Sequence, residues 1–229
     1  MKIGIIGANG FIGNALVETL KSQYTVESII KENYHLFKNI NFDIIINANG
    51  NSHKHWANKN PVKDFKKSVE SVYKSLYDFK YKKYIYISSI DVENIKTTYG
   101  FNKYLAEEIV KSICYDFSII RLPAVIGKRS TKGIIYDIMN NNKIYLTKDS
   151  TLMLIDIDEF TIKLKEYIEQ NKLRKLEQFY PSNNISINEI SKILNIPVNY
   201  DVNLRDEYYF YPGDYNTSVN YLKKCVKYE

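Results

Sequence analysis

The sequence predicts a doubly wound α/β fold, in which a parallel sheet carries helices on both faces and a small lobe follows. Strand-like apolar runs alternate with segments of helical spacing as far as Leu122. The first of these runs ends in a glycine cluster that opens a helix. After Pro123 the segments become shorter and the alternation changes. We therefore expect the sheet domain at residues 1–125 and a C-terminal lobe, interleaved with the end of the sheet, at residues 126–229.

The elements follow from the period of the apolar residues. Short apolar runs predict strands at Lys2–Ile6, Tyr24–Ile30, Phe42–Ala48, Tyr84–Ser88 and Phe117–Leu122. Helical spacing predicts helices at Phe11–Ser22, Tyr34–Lys38, Pro61–Lys80 and Thr98–Ile113, with the polar stretch Asn49–Asn60 as a loop. In the lobe we expect helices at Ile134–Met139, Ile157–Asn171 and Ile187–Leu194, and a strand at Lys143–Leu146.

Composition narrows the class of protein. Hydrophobic residues make up 45% of the 229 residues, enough for a sizeable core, and no apolar run approaches the roughly 20 residues of a membrane-spanning helix. The chain begins directly with a strand, so we expect no signal peptide and a cytoplasmic protein without a membrane partner. The net charge of +6 is scattered, which argues against nucleic-acid binding. Cys114 and Cys225 lie in no metal-ligand pattern and are expected to be thiols.

A glycine-rich loop joins the first strand to the first helix. Glycines permit a tight turn and a close approach of the backbone, and a helix N-terminus offers unpaired N–H groups to a pyrophosphate. The spacing is Gly-x-x-Gly-x-x-Gly and not the usual Gly-x-Gly-x-x-Gly, so a purely structural turn is the alternative. We expect a dinucleotide to bind at Gly7, Asn9, Gly10, Phe11, Ile12 and Gly13.

The end of the second strand bears on the choice of cofactor. An acid that binds the adenosine ribose is expected near this point, but the sequence has Ile30 followed by Lys31. Lys31 suits a 2′-phosphate, which favours NADP. In the alternative, Lys31 is solvated and Glu32 contacts the ribose of NAD.

Tyr99 and Lys103 lie four residues apart and hence on one face of the predicted helix. A neighbouring ammonium is expected to lower the pKa of a phenol from about 10, so that Tyr99 can exchange a proton with a carbonyl or alcohol oxygen. Since the chain has 21 tyrosines, a chance match is the alternative. Ser89 ends the preceding strand at its carboxyl end, where it can hydrogen-bond the same oxygen.

These features stand in a characteristic order. The Gly7–Gly13 loop, the strand Asp43–Ala48, Ser88-Ser89, Tyr99-x-x-x-Lys103 and the segment Arg121–Gly127 resemble the extended short-chain dehydrogenases/reductases, and among them the NAD-dependent epimerase/dehydratase group that acts on nucleotide-linked sugars. The resemblance implies a Rossmann-type sheet. It implies catalytic roles for Ser89, Tyr99 and Lys103 and cofactor contacts from Asn47, Ala48, Asn49, Tyr99, Lys103 and Pro123.

The chain departs from the family pattern in three ways. Family members are usually longer, so we expect a reduced substrate lobe. Ser68 stands where the helix after Pro61 commonly carries an asparagine. Sugar dehydratases carry an Asp-Glu pair after the catalytic hydroxyl, whereas Ile90-Asp91 follows Ser89 here, which favours reduction or epimerisation over dehydration.

The segment after the third strand is expected to border the ligand. Together with Ser89, the residues predicted to bind substrate are Asn51, Ser52, His53, His55 and Asp91. A polar loop is the alternative. His-x-His can chelate a metal, but no carboxylate or cysteine completes the set, so we expect no metal.

These observations favour an NAD(P)H-dependent reductase of a nucleotide-linked keto-sugar, in the synthesis of a surface polysaccharide or glycan precursor. The alternatives are an epimerase that retains NAD and a non-catalytic dinucleotide-binding redox sensor. By the same resemblance, the helices Pro61–Lys80 and Thr98–Ile113 predict a homodimer.

Overall fold

The structure is a computed structural model that describes residues 1–182, 184–208 and 222–223. The chain divides into two compact units. The first comprises Met1–Leu122 and Thr161–Gln178, and the second comprises Pro123–Phe160 and the described residues from Phe179 onward.

The strands in chain order are β1 (Lys2–Ile6), β2 (Thr25–Ile29), β3 (Asn41–Asn47), β4 (Lys80–Ser89), β5 (Phe117–Leu122), β6 (Ala124–Ile126), β7 (Ile144–Leu146), β8 (Thr151–Leu152), β9 (Leu154–Asp156), β10 (Leu176–Gln178), β11 (Ile185–Ser186) and β12 (Tyr200–Arg205). The α-helices are α1 (Phe11–Leu20), α2 (Lys54–Lys59), α3 (Pro61–Phe65), α4 (Ser71–Asp78), α5 (Thr98–Ile113), α6 (Ile134–Met139), α7 (Ile157–Glu169) and α8 (Ile187–Leu194). Short 3₁₀ helices lie at Tyr34–Phe37 and Ile90–Glu93, and a π-helical turn lies at Lys66–Glu70.

The first unit is built on a six-stranded sheet of order β10-β5-β4-β3-β1-β2, in which every pairing is parallel. This confirms the predicted doubly wound α/β fold. The chain leaves β1 towards β2 on one side and returns to β3 on the other, so the strand order reverses at β1. The crevice at the carboxyl ends of β1 and β3 is where such sheets bind ligands.

The sheet is buried on both faces, as a parallel sheet requires. The strand side chains with no exposed surface include Ile3, Ile5, Ile45, Ile46, Tyr84, Tyr86, Ile119 and Ile120. Cys114, a free thiol, is buried against the same core, whereas Cys225 lies outside the described residues.

Several parts of the first unit differ from the prediction: β4 begins at Lys80 and not at Tyr84, and the 3₁₀ helix Ile90–Glu93 was not predicted. The polar stretch expected as a loop contains the helix α2. The Ala57 N–H closes its first turn by donating to the His53 carbonyl at 3.0 Å, and the buried Ala57 side chain stabilises the helix. The helix expected at Pro61–Lys80 contains the π-helical turn and ends at Asp78, because Phe79 is extended and packs on Phe42. The short strand β10 was not predicted.

The second unit holds three two-stranded sheets and the helices α6 and α8. Both helices have the predicted bounds, and the strand predicted from Lys143 begins at Ile144. Ser186 and Glu189 form a capping box at the start of α8, each side chain bonding the backbone N–H of the other. Among the described residues, none of the helices combines the length and apolar character needed to cross a bilayer.

Candidate active site

The Gly7–Gly13 loop is set by the absence of side chains. Gly7 has a positive φ of 82° and donates its N–H to the Ile29 carbonyl at 2.9 Å. A Cβ on Gly13 would lie 2.1 Å from the Gly7 carbonyl oxygen, and a Cβ on Gly7 would lie 2.9 Å from the Asn49 nitrogen. Both positions therefore demand glycine. Gly10 is less constrained, since its nearest neighbour would be 3.2 Å away.

The loop presents the N-terminal end of α1 at the carboxyl edge of the sheet. Gly10 is the N-cap and gives no side-chain cap, and the first turn of α1 contains no acid. The first amides of a helix lack intrahelical partners and carry partial positive charge. Asn9 and Gly10 are exposed, while Phe11 and Ile12 are half-buried. These residues fit the pyrophosphate of a dinucleotide.

The end of β3 lies directly beside this loop. The Ala48 N–H donates to the Ile6 carbonyl at 3.0 Å. Asn47 is fully buried: its amide donates to Tyr84 Oη at 2.7 Å and Ser75 Oγ at 3.2 Å, and its Oδ1 accepts from the Asn49 N–H. The Asn47 side chain therefore anchors the strand end. Asn49 is exposed and Ala48 half-buried, so they keep surface that a ligand can contact.

Lys31 is exposed and lies two residues after β2, whose last carbonyl accepts the Gly7 N–H. The turn that carries it is fixed by Asn33, whose Oδ1 accepts the Ile30 N–H at 2.8 Å. Glu32, equally exposed, is next to it. Pro123 is buried at the start of the second unit, immediately after β5, and its contact with a cofactor remains a prediction.

Ser89 and Tyr99 meet through their hydroxyl groups. Ser89 is the last residue of β4, and Tyr99 lies in the first turn of α5 with its phenol beside the Ser89 hydroxyl. Gly100 permits this contact, because a Cβ there would lie 2.3 Å from the Asp91 carbonyl oxygen. The Thr97 hydroxyl caps α5 by accepting the Gly100 N–H at 3.0 Å. The close approach of α5 to the turn after β4 thus brings together the predicted serine and tyrosine.

The pKa of Tyr99 lies above its ordinary value. Burial is the main cause and the Asp91 carboxylate adds to it, while the hydrogen bond with Ser89 acts in the opposite direction. The expectation that the pKa of Tyr99 is lowered is therefore wrong, because desolvation of the phenolate dominates. Tyr99 is protonated across the neutral range and is thus in the state of a proton donor.

Lys103 is a buried ammonium one helical turn beyond Tyr99. Its Nζ donates to the Ile87 carbonyl at 3.3 Å and lies 5.1 Å from the centre of the Tyr86 ring. Burial lowers the pKa of Lys103 to about 8, against the opposing effect of nearby carboxylates. The group therefore changes charge close to physiological pH.

Asp91 links the site to α2. Its Oδ2 accepts from Ser89 Oγ at 2.9 Å, and its Oδ1 lies 2.7 Å from Lys54 Nζ. Ser52, His53 and His55, all predicted to bind substrate, are exposed in and just before α2. No cluster of metal-ligating side chains occurs within the described parts of the chain.

Asn51 is placed differently from the other predicted substrate residues. Its side chain is buried and donates to Asp64 Oδ1 at 2.7 Å and to the His53 carbonyl at 3.0 Å. Its side chain therefore serves the protein interior. Asp64 and its second amide partner, Asn102, were not singled out from the sequence. The signal that could have found Asp64 is its helical spacing with Ser68 and Val72, since all three are buried.

A second buried carboxylate, Glu107, lies on the same helix as Lys103. It has no exposed surface and receives Arg121 Nε at 3.0 Å and Nη2 at 2.7 Å, together with Ser88 Oγ at 2.6 Å. This two-point pairing ties β4, β5 and α5 together beneath the site.

Both the sequence and the structure resemble proteins of one family. The profile of the NAD dependent epimerase/dehydratase family matches residues 3–152. The structure is similar to a UDP-N-acetylglucosamine 4-epimerase from Methanobrevibacter ruminantium M1 in complex with UDP-N-acetylmuramic acid, with 17% identity, a TM-score of 0.78 and coverage of 99% of this chain and 97% of that one. No protein of curated function matches the sequence.

Two further solved structures share the fold. One is a dTDP-4-dehydrorhamnose reductase from Bacillus anthracis str. Ames in complex with NADP, with 16% identity, a TM-score of 0.80 and coverage of 99% and 97% of the two chains. The other is an NAD dependent NDP-hexosamine 5,6-dehydratase involved in tunicamycin biosynthesis, with 14% identity, a TM-score of 0.81 and coverage of 97% and 91%. At these identities the likeness establishes the fold.

Proposed function

The chain belongs to the NAD dependent epimerase/dehydratase family, and from that premise we propose that it reduces a keto group on a nucleotide-linked sugar with NAD(P)H. The observation that carries the proposal is that Ser89 and Tyr99 lie next to each other, with Lys103 one turn away, on the same edge of the sheet as the Gly7–Gly13 loop. The similar structures support the substrate class, since they are of enzymes named for UDP-, dTDP- or NDP-linked sugars.

The chain's own residues divide the work. The glycine loop and the first amides of α1 hold the pyrophosphate, with Ala48 and Asn49 alongside, and Lys31 pairs with a 2′-phosphate, which favours NADP over NAD. When bound, the dinucleotide supplies the hydride. Ser89 turns its hydroxyl hydrogen from Asp91 to the substrate carbonyl oxygen, and Tyr99 gives that oxygen its phenolic proton as the alcohol forms. Lys103 holds the nicotinamide ribose. The exposed residues Ser52, His53 and His55 are the proposed substrate contacts.

We favour reduction over epimerisation because Lys31, exposed just after β2, suits the 2′-phosphate of NADPH. A reductase needs a proton donor at the carbonyl oxygen, and the phenol of Tyr99 can supply that proton. An epimerase with retained NAD begins by oxidising an alcohol and needs a base at the same atom. Asp91 is held by Ser89 and Lys54, which is consistent with a role other than that of a dehydratase acid.

The test is turnover of UDP- and dTDP-linked 4-keto-sugars by the purified protein, and the readout is the loss of reduced nicotinamide. Tyr99→Phe is expected to lower kcat by about 10²- to 10⁴-fold while dinucleotide binding persists. Tyr115→Phe, at a fully exposed tyrosine shortly after the same helix, is the matched control and should keep the parent rate. Full activity in Tyr99→Phe would contradict the catalytic assignment.

The same assay separates the alternatives. Interconversion of two nucleotide sugars with no net consumption of NADPH or NADH identifies an epimerase. Tight dinucleotide binding without turnover of any sugar identifies a sensor.

We further propose that the protein is a cytoplasmic homodimer in polysaccharide or glycan precursor synthesis. The two helical segments predicted to pair across the dimer expose large apolar side chains: Val62, Phe65, Tyr73, Tyr77, Phe101 and Tyr104. Sedimentation velocity at micromolar concentration should give a dimer, and Tyr77→Glu should shift it towards the monomer. A monomeric parent protein would contradict this proposal.

A further inference from the structure

Asp64 is a fully buried carboxylate whose hydrogen-bond partners are all neutral. Its Oδ1 accepts from Asn51 Nδ2 at 2.7 Å and from Ser68 Oγ at 3.4 Å, and its Oδ2 accepts from Asn102 Nδ2 at 2.7 Å. Within the described ranges, no cationic side chain forms an ion pair with it. A buried charge without a counter-charge is costly, so this carboxylate calls for an explanation.

Lys103 presents the complementary case. Its ammonium is buried, and its close partners are the Ile87 carbonyl and the face of Tyr86, which are both neutral. Two other carboxylates act on it, but each has a cation of its own: Glu107 is paired with Arg121, and Asp91 with Lys54. Of the three carboxylates, Asp64 is therefore the one whose negative charge can balance the Lys103 ammonium.

The backbone on either side keeps the Asp64 carboxylate and the Lys103 ammonium close to each other. Asn51 follows Gly50 and Asn102 precedes Lys103, and both asparagines grip the Asp64 carboxylate. A methyl group built on Gly50 would lie 3.7 Å from Lys103 Nζ and 3.8 Å from Ser68 Oγ, which shows that the ammonium and the hydroxyl flank the same glycine. Among the charges that oppose desolvation and raise the pKa of Lys103, Asp64 has the largest effect.

We propose that Asp64 is a positioning residue that acts through Lys103, supplying the counter-charge that keeps the ammonium protonated in a buried site. The inference rests on the proposed function for its role in the reaction, but the electrostatic coupling stands on the contacts of the chain's own side chains. The two asparagines and Ser68 hold the Asp64 carboxylate in place, and its negative charge stabilises the Lys103 ammonium.

The experiment measures the charge state of Lys103 directly. In protein labelled with ¹³C-lysine, the Cε resonance of Lys103 is assigned by its loss in Lys103→Met and is followed against pH. Asp64→Asn removes the charge and keeps the shape, and we expect the midpoint of Lys103 to fall by about one pH unit. At pH 8 that lowers the protonated fraction about fivefold. The alkaline limb of kcat/KM should move to lower pH by the same amount.

Other titratable groups near Lys103 must be followed as well. They are Glu107 on its own helix, Asp91 on the turn after β4, Tyr86 on β4 and Tyr99. Ser68→Ala is the matched control, because it removes a hydrogen bond to Asp64 and leaves the charge. In that variant Lys103 should titrate as in the parent.

The proposal is overturned if Asp64→Asn leaves the midpoint of Lys103 unchanged, or if Ser68→Ala moves it as far. Asp64→Ser, a smaller neutral variant, provides the same measurement if the asparagine variant does not fold. A shifted midpoint in a protein whose parent turns over no keto-sugar would support the coupling and refute the proposed reaction, so the two failures are distinguishable.

Discussion

The Gly7–Gly13 loop and the Tyr99–Lys103 pair lie on the same edge of one sheet but are built by opposite means. In the loop the decisive groups are backbone atoms, and the residues matter because they lack side chains. Around Lys103 the decisive groups are charged side chains: the buried Asp64, Asp91 and Glu107, and the half-buried Arg121. A substitution in the loop should therefore act through shape at every pH, whereas a substitution near Lys103 should act through charge.

The strongest test of the charged region is Arg121→Met. It leaves the fully buried Glu107 carboxylate without its two-point partner, and we expect a loss of about 3–5 kcal/mol in the free energy of unfolding, measured with urea. Lys111→Met is the control, since Lys111 contacts Glu107 at 3.9 Å from a more exposed position and should cost less than about 1 kcal/mol. Equal losses in the two variants would show that burial of Glu107 does not matter.

The second prediction concerns pH. The pKa of Lys103 is about 8 in the folded protein and about 10.5 when unfolded, so the unfolded chain binds more protons between these values and stability rises with pH across that window. Below pH 8 the destabilisation is fully present. The unfolding free energy of the parent, minus that of Lys103→Met, should rise by about 3 kcal/mol from pH 8 to 10.5. A flat difference would contradict the burial of the ammonium.

The third prediction tests shape in the loop. Gly13→Ala places a Cβ against the Gly7 carbonyl, and we expect a cost of about 2–3 kcal/mol together with loss of dinucleotide binding, measured by urea unfolding and by NADPH fluorescence titration. Gly10→Ala meets the Gly7 carbonyl oxygen at 3.2 Å, which a small shift relieves, and should cost about 1 kcal/mol or less. If the two variants behaved alike, the tight packing of Gly13 on Gly7 would not be what sets the loop.

The smallest expected effect belongs to Lys31. Lys31→Ala should reduce the preference for NADPH over NADH by up to about fivefold, because an exposed ion pair contributes up to about 1 kcal/mol. NADH affinity should stay at the parent value, and Glu32→Gln serves as the neighbouring control. An unchanged preference would remove Lys31 from the cofactor assignment.

The sequence predicted the elements that are determined by residues close together in the chain. The helix Thr98–Ile113 has its predicted bounds because Thr97 caps it and Cys114 is extended. The glycine loop was recognised because glycine itself is the signal. The helix α2 was missed because it is made mostly of polar residues, and β10 because three residues carry no period.

What the sequence did not reveal at the site has one physical cause: residue types and their spacing do not show which side chains are buried. Asp64 was not singled out, because the sequence does not show that this acid is enclosed by three polar neighbours. The pKa of Tyr99 was expected to fall because Lys103 is four residues away, but desolvation raises it. The residue types and their order were predictable, whereas their dielectric surroundings were not.

Gly100 carries a consequence for anyone who redesigns this protein. The approach of α5 to the turn after β4 depends on a missing methyl group, so the spacing between the two hydroxyls is governed by a residue that contacts neither. A screen that varied only pocket-lining positions would overlook it. Laboratory evolution towards new substrates should hold Gly100 fixed, since a change there would resemble a defect in chemistry while originating in the scaffold.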